Sequence, residues 1–265
     1  MLETVLFRAD EDDEELLIDT VLATAIATAA SLLLVNTVLP FQIGGIDFGG
    51  LITVVLITLA LSYPLTSFIK RRDREELRAH WDEPHLLRRH AEEVQIYLLA
   101  FLTSTLLFAA SVLVLPDSFY IIQQTALEAL NAAVGNITAD SFFLHLITNN
   151  MRVFIATFAL SFFISGGMVF IIIWNASVLG VLIGRTSEHV LSIPIQTAPY
   201  LVHGSLEVAA YILAGLAGTL LAIDTETYFT SQKQELRSFT PQLRDIVALL
   251  SLGLLLLLLA GMIEA

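Results

Sequence analysis

The chain has 265 residues, 56% of them apolar and 15% charged, with 13 basic against 26 acidic side chains and no cysteine. This balance excludes a soluble domain of average composition and a nucleic-acid binder built on basic patches. It equally excludes any disulfide, thiolate nucleophile or cysteine-ligated metal.

Several apolar runs reach the roughly 18 to 20 residues that a helix needs to cross a bilayer. None alternates over about ten residues as an outer-membrane strand would. The expected fold class is therefore all-α, a polytopic bundle of about six transmembrane helices forming one membrane domain over residues 1–265. The acidic tail 1–15, with Asp10-Glu-Asp-Asp-Glu-Glu15 before the first apolar run, is a solvated segment rather than a cleavable signal.

The first span covers about Leu16 to Leu39, followed by Pro40 and a tight glycine-rich connection, Phe41 to Gly50. The second covers about Leu51 to Ile69, with Pro64 as an expected kink. Residues 70–93 form a loop carrying seven Lys and Arg residues. By the positive-inside rule this loop is cytoplasmic. His80, His85 and His90 fall in it and read as part of a solvated, lipid-facing surface. The third span, about Val94 to Leu115, exits to the outside.

Segment 116–148 is expected outside, where Phe119, Ile122, Ala126, Leu130 and Ala133 recur at helical spacing. That spacing suggests an amphipathic helix lying on the membrane or capping the bundle. Asn136-Ile-Thr138 is a glycosylation sequon there; a second, Asn175-Ala-Ser177, lies within a span and is unreachable.

Two segments do not fit a single crossing. Asn150 to Gly184 would make a helix of roughly 50 Å against a hydrocarbon core near 30 Å, and Val190 to Ala222 is similar. Tilt, an interfacial extension, or a break with partial re-entry would each resolve the excess. The break points are Ser165-Gly166-Gly167 in the first, and Pro194, Pro199 and His203-Gly204 in the second. Glycine- or proline-interrupted apolar segments point to midplane sites in transporters, and a broken or re-entrant second segment is expected. A polar loop through Asp224, Glu226, Lys233 and Arg237 then lies outside, and the last span, about Leu243 to Met262, returns the C-terminus to the cytoplasm beside the N-terminus.

Polar residues at membrane depth are few: Asn149, Asn150 and Arg152 entering the fourth span, Asn175 within it, and His203 and Glu207 in the fifth. His203 and Glu207, four apart, share one helical face, which continues through Ala210, Ala214, Gly218 and Ala222. Such a stripe of small residues lets another helix approach closely. Arg152 and Glu207 are natural partners, because an unpaired intramembrane charge is expensive. Three readings follow for the His-Glu pair: a hydrogen-bonded clasp between helices, a protonatable or ion-binding couple in a cavity, or a metal-dependent hydrolase. The last needs a third ligand, for which His145 and His189 are nearest in sequence. No Ser-His-Asp set, phosphate-cradling glycine loop or His-Glu-x-x-His motif is present.

Two motifs resemble the stage II sporulation protein M family of integral membrane proteins. One is Asn149-Asn150-Met-Arg152-Val with Gly166-Gly167, Asn175 and Leu179-Gly180; the other is His203-Gly204-x-x-Glu207 with Ala214-Gly215-x-x-Gly218. Together they cover about Phe142 to Leu221, within a motif-bearing half at 142–222. Val202 stands where members usually have proline, and Val208-Ala209 where they have Leu-Pro. In endospore formers the resemblance implies a scaffold working with peptidoglycan-degrading partners at an engulfing membrane. The acidic, lysine-poor composition fits an archaeal member.

The expectation is thus a non-enzymatic scaffold without cofactor or metal, self-associating through faces that include Gly166, Gly167, Gly180, Gly204, Ala210, Ala214 and Gly218. Membrane lipids, further copies or other membrane proteins are its expected partners, and nucleic acid is not. The alternative is a small transporter or channel with Asn150, Arg152, Asn175, His203 and Glu207 around a midplane cavity. Convergence on a wet cavity would favour transport; satisfaction in dry helix contacts would favour scaffolding.

Overall fold

The computed structural model describes residues 13–79, 89–134, 139–164, 166–230 and 239–264. The acidic residues 10–12, His80, His85, the sequon Asn136–Thr138 and Ser165 lie outside the described residues. The chain is helical almost throughout: α1 Asp13–Thr37, a hairpin of β1 Gln42–Ile43 and β2 Ile46–Asp47, α2 Gly49–Ala79, α3 Ala91–Val112, α4 Ile121–Val134, α5 Ala139–Phe163, α6 Gly167–Thr186, α7 Ile193–Thr230 and α8 Phe239–Glu264. Seven of these, all but α4, are long and apolar enough to cross a membrane.

The excess length of the two anomalous segments is resolved differently in each. Asn150 to Gly184 is cut at Gly166, whose φ of +92° belongs to the left-handed region that glycine adopts without a Cβ penalty. Two helices result, and α5 begins at Ala139, inside the stretch expected to be an outer amphipathic segment. The second segment is continuous, contrary to the expected break. Pro194 lies in the first turn of α7, where no N–H partner is needed. Pro199 forfeits one ladder bond but leaves the helix intact. The surplus turns of α7 extend beyond its apolar span, His203–Glu226, as an extension in which Ile193 and Tyr200 pack on Ala109 and Ile183.

The cut also changes the topology. Seven long helices running alternately up and down leave the start of α1 and the end of α8 at opposite ends of the bundle, where the six expected would have left both at one end. The segment around Asp224 and Glu226, expected outside, sits at the same end as the basic loop. Lys70 of α2 pairs with Glu226 of α7 at 2.9 Å, and Arg89 holds Asp245 of α8 through two contacts of 2.8 and 2.7 Å. Arg72 adds a bond of 3.1 Å to Glu92 of α3. An ionic layer therefore ties α2, α3, α7 and α8 together at one end. We call it the basic end.

At the other end, the β-hairpin turns through Gly44 and Gly45, both with positive φ (60° and 83°), as a two-residue loop of the primed type requires. Asp47 accepts the Gly49 N–H at 2.8 Å and starts α2. Helix α4 caps this end. Among the described residues its buried ones are Gln123 and Gln124, with Leu127 packed on the core; of the expected face, Phe119 in the turn before the helix is buried beside Tyr120, while Ile122 and Ala126 are half-buried. Gln124 donates to the Asp117 carbonyl (3.0 Å) and Gln123 to Ser177 (3.4 Å), while the buried Gln123 Oε1 has no partner.

The interior is formed by α6 and α7, whose span windows are 61% and 67% buried, while α5 and α8 at 22% and 33% are the outer staves. Helix α6 lies against α3 across Gly180 and Gly184. A Cβ added at Gly180 would stand 2.7 Å from the Thr105 carbonyl oxygen, and one at Gly184 2.6 Å from that of Ala109. Only glycine permits that backbone approach, the usual basis of association where lipid removes the hydrophobic drive between helices. Hydroxyls within the helices turn back onto their own carbonyls four residues earlier, as Thr20, Thr53, Thr105, Thr157 and Thr197 do. In an apolar solvent this satisfies the donor without a partner helix.

Candidate functional site

Helices α5 and α7 cross where Asn150 meets Glu207. The Asn150 amide donates to a Glu207 carboxylate oxygen, with Asn150 buried and Glu207 half-buried, and Asn149 donates in turn to the Asn150 oxygen at 3.4 Å. A carboxylate taken out of water needs such donors, and one to a charged acceptor is stronger than a neutral bond. The contact sits towards the end opposite the ionic layer, because α7 runs on from Glu207 to Glu226 before reaching Lys70.

The remaining sequence-predicted residues do not gather there. Arg152 is exposed and makes no ion pair with Glu207. Helical geometry explains this: at 100° per residue, a helix that aims Asn150 at α7 turns Arg152 about 200° away. Asn175 donates to the Ile171 carbonyl of its own helix at 2.8 Å, doing what the threonines do. His203 is half-buried and meets Tyr200 edge-on, ring centroids 6.2 Å apart, and is not hydrogen-bonded to Glu207. His189, considered as a metal ligand, is exposed, and the bonds recorded for it are those of its backbone with Ser192: its N–H donates to the Ser192 hydroxyl (3.3 Å), which donates to its carbonyl (2.6 Å). Among the described residues, no three His, Asp or Glu side chains stand close enough to share a metal.

The small residues divide likewise. Gly166 packs on Ser62, Gly167 on the Leu160 carbonyl and Gly180 on α3. A Cβ at Gly218 would stand 2.4 Å from the Phe158 carbonyl oxygen of α5, and one at Gly253 of α8 3.2 Å from that of Ala210. Ala210 and Ala214 are fully buried. The stripe on α7 is consumed inside the chain, between α5 and α8, so it is not a surface for a second copy. Gly204 is different: nothing lies within 4 Å of where its Cβ would be, so it makes no close approach.

A second polar constellation was missed by sequence reasoning. His90, read as part of a solvated surface, is 5% exposed at the start of α3, and Glu93 one turn on is 2% exposed. Burial pushes the His90 imidazole down to about 4, the neighbouring Arg89 and Arg72 guanidinium groups push the same way, and Asp245 opposes them. Its Nε2 has no hydrogen-bond partner. The available signal was Ala91-Glu92-Glu93-Val94 opening an apolar run directly after Arg88-Arg89-His90, which places carboxylates one helical turn from cations. Gly184 was also missed, although Gly180-Val-Leu-Ile-Gly184 carries the small-xxx-small spacing.

No curated protein and no solved structure matches this chain. The family model for stage II sporulation protein M matches residues 97–265, nearly two thirds of the sequence and more than the Phe142 to Leu221 stretch that carries the two motifs. The match begins in α3 and takes in every helix that packs on α7 from α5 onward. This multi-pass membrane protein belongs to the stage II sporulation protein M family.

Proposed function

We propose that the protein is a non-enzymatic membrane scaffold, a helical platform that organises membrane-associated partners rather than moving a solute. One observation carries the reading. The Glu207 carboxylate is met by the Asn150 amide in a helix-to-helix contact, while Arg152, Asn175 and His203 are directed elsewhere. A transport centre would draw these groups toward one cavity; a clasp needs only the pair. The family resemblance supports the same choice.

Orientation follows from charge. Lys70, Arg71, Arg72, Arg74, Arg78, Arg89 and Arg244 fall at the basic end among the described residues, and Arg152 and Arg185 toward the other. We therefore orient the basic end and the N-terminus to the cytoplasm, and the α4 cap and the C-terminus to the outside.

The test compares wild type, Glu207→Gln and Glu207→Leu. In mild detergent extracts of native membranes, wild type and Glu207→Gln are expected in a complex larger than the lone chain, and Glu207→Leu as the lone chain. In proteoliposomes loaded with a pH-sensitive dye, all three are expected at background proton flux. Flux carried by wild type and abolished by Glu207→Gln would establish the transport reading instead.

A further inference from the structure

We propose that the outer stave formed by α5 and α8 holds one anionic phospholipid, its phosphate on Arg152 and an acyl chain in the groove below. The proposal does not rest on the scaffold reading. Arg152 lies six residues beyond the start of its apolar span at Leu146, about 9 Å along the helix. It is exposed, and no carboxylate pairs with it among the described residues. A guanidinium on the lipid-facing side of a span must reach the interface and find an anion there. Side chains on α5 lean toward its N-terminus, which points to the membrane surface opposite the basic end.

Immediately below Arg152 the surface is grooved. Met151, Phe154, Ile155 and Phe158 of α5 and Leu250 and Leu254 of α8 line a cavity of about 320 Å³ open to the outside of the bundle. Ser251 also borders it but donates to the Val247 carbonyl at 2.7 Å, so it offers no free polar group. Arg152 does not line the groove itself but stands at i to Ile155 at i+3, one turn nearer the start of α5, beside the groove. Cation above and apolar channel below match a phosphate ester carrying a hydrocarbon chain, with charge and apolar surface each met on one molecule.

Native mass spectrometry of the detergent-purified protein tests this with phosphatidylglycerol and phosphatidylcholine of identical chains. Phosphatidylglycerol should be retained over phosphatidylcholine by about fivefold, the worth of one cation at an anionic lipid surface. Arg152→Gln should erase the preference and Arg152→Lys keep it. Leu254→Trp, which fills the groove, should lower retention of both lipids. Glycerol phosphate without chains should fail to compete; competition by it would mean a headgroup site with no use for the groove. The proposal is overturned if Arg152→Gln keeps the preference or if Leu254→Trp leaves retention unchanged. It is also overturned if the wild type is a lipid-free dimer that Leu254→Trp splits, since the groove then belongs to a second copy.

Discussion

The bundle has two polar regions, at opposite ends, and they differ in kind. At the basic end, full charges meet full charges: Arg89 with Asp245, Arg72 with Glu92 and Lys70 with Glu226 join four helices, with His90 buried among them. Towards the other end, one neutral amide meets one carboxylate and joins two helices, and a charge pair there, Arg185 with Asp117 at 3.6 Å, is loose and exposed. Of the residues singled out for chemistry in the sequence, Asn150 and Glu207 form the second region. The ionic groups that bind the most helices lie at the first. In a bilayer, motif-bearing polarity and structural polarity need not coincide.

Breaking the two regions in turn should show this. The largest effect is expected from Asp245→Ala, which leaves Arg89 largely buried without its bidentate partner. A loss of roughly 2–4 kcal/mol is expected, read as a lower thermal midpoint in detergent, with partial recovery in Arg89→Met/Asp245→Leu.

Acid should strike the same end next. The folded-state His90 value lies near 4, below the ordinary 6.5. Between those two pH values the unfolded chain therefore binds a proton that the folded chain refuses. Stability contributed by neutral His90 is complete above pH 6.5 and is lost as pH falls toward 4, by about 3 kcal/mol in all. Thermal midpoints of wild type and His90→Leu across that range check the sign: the variant should show the shallower slope.

The Glu207 end should respond more mildly. Glu207→Leu strands the buried Asn150 amide, at about 1–3 kcal/mol, while Glu207→Gln keeps an acceptor and should cost less than about 1 kcal/mol. Smallest of all is Gly204→Ala. With open space at the Cβ and a helical backbone, the change should be neutral or stabilising by up to about 1 kcal/mol. A large loss there would mean that the His203-Gly204 motif packs against something after all.

Much of the fold was legible because hydropathy and glycine carry it. The all-α class, the first three spans, the Phe41–Gly50 turn and the cut at Gly166-Gly167 all follow from residues that leave few alternatives. The start of α5 was hidden by its polar first turns, Asp140 and Ser141 and then Asn149, Asn150 and Arg152, so two helices read as one long segment and the crossing number came out one short. Prolines misled in α7: Pro194 and Pro199 look like breaks, but first-turn placement and packing of Ile193 on α3 and α6 keep the helix whole. Within the candidate site, the Asn150–Glu207 partnership needed knowledge of which helices are neighbours. The failure of Arg152 to join them was foreseeable from its spacing of two from Asn150. His90 was obscured by its arginine-rich surroundings, which read as solvent-facing until Asp245 of a distant helix is brought alongside.

The most direct measurement is a double-mutant cycle on the clasp, with Asn150→Leu, Glu207→Leu and the pair, read by thermal unfolding in detergent. A structural contact between α5 and α7 predicts a coupling energy of about 1 kcal/mol, so that the double variant loses less than the two single losses together. Losses that add within about 0.3 kcal/mol would mean that the amide and the carboxylate do not hold these helices together, and would contradict the account.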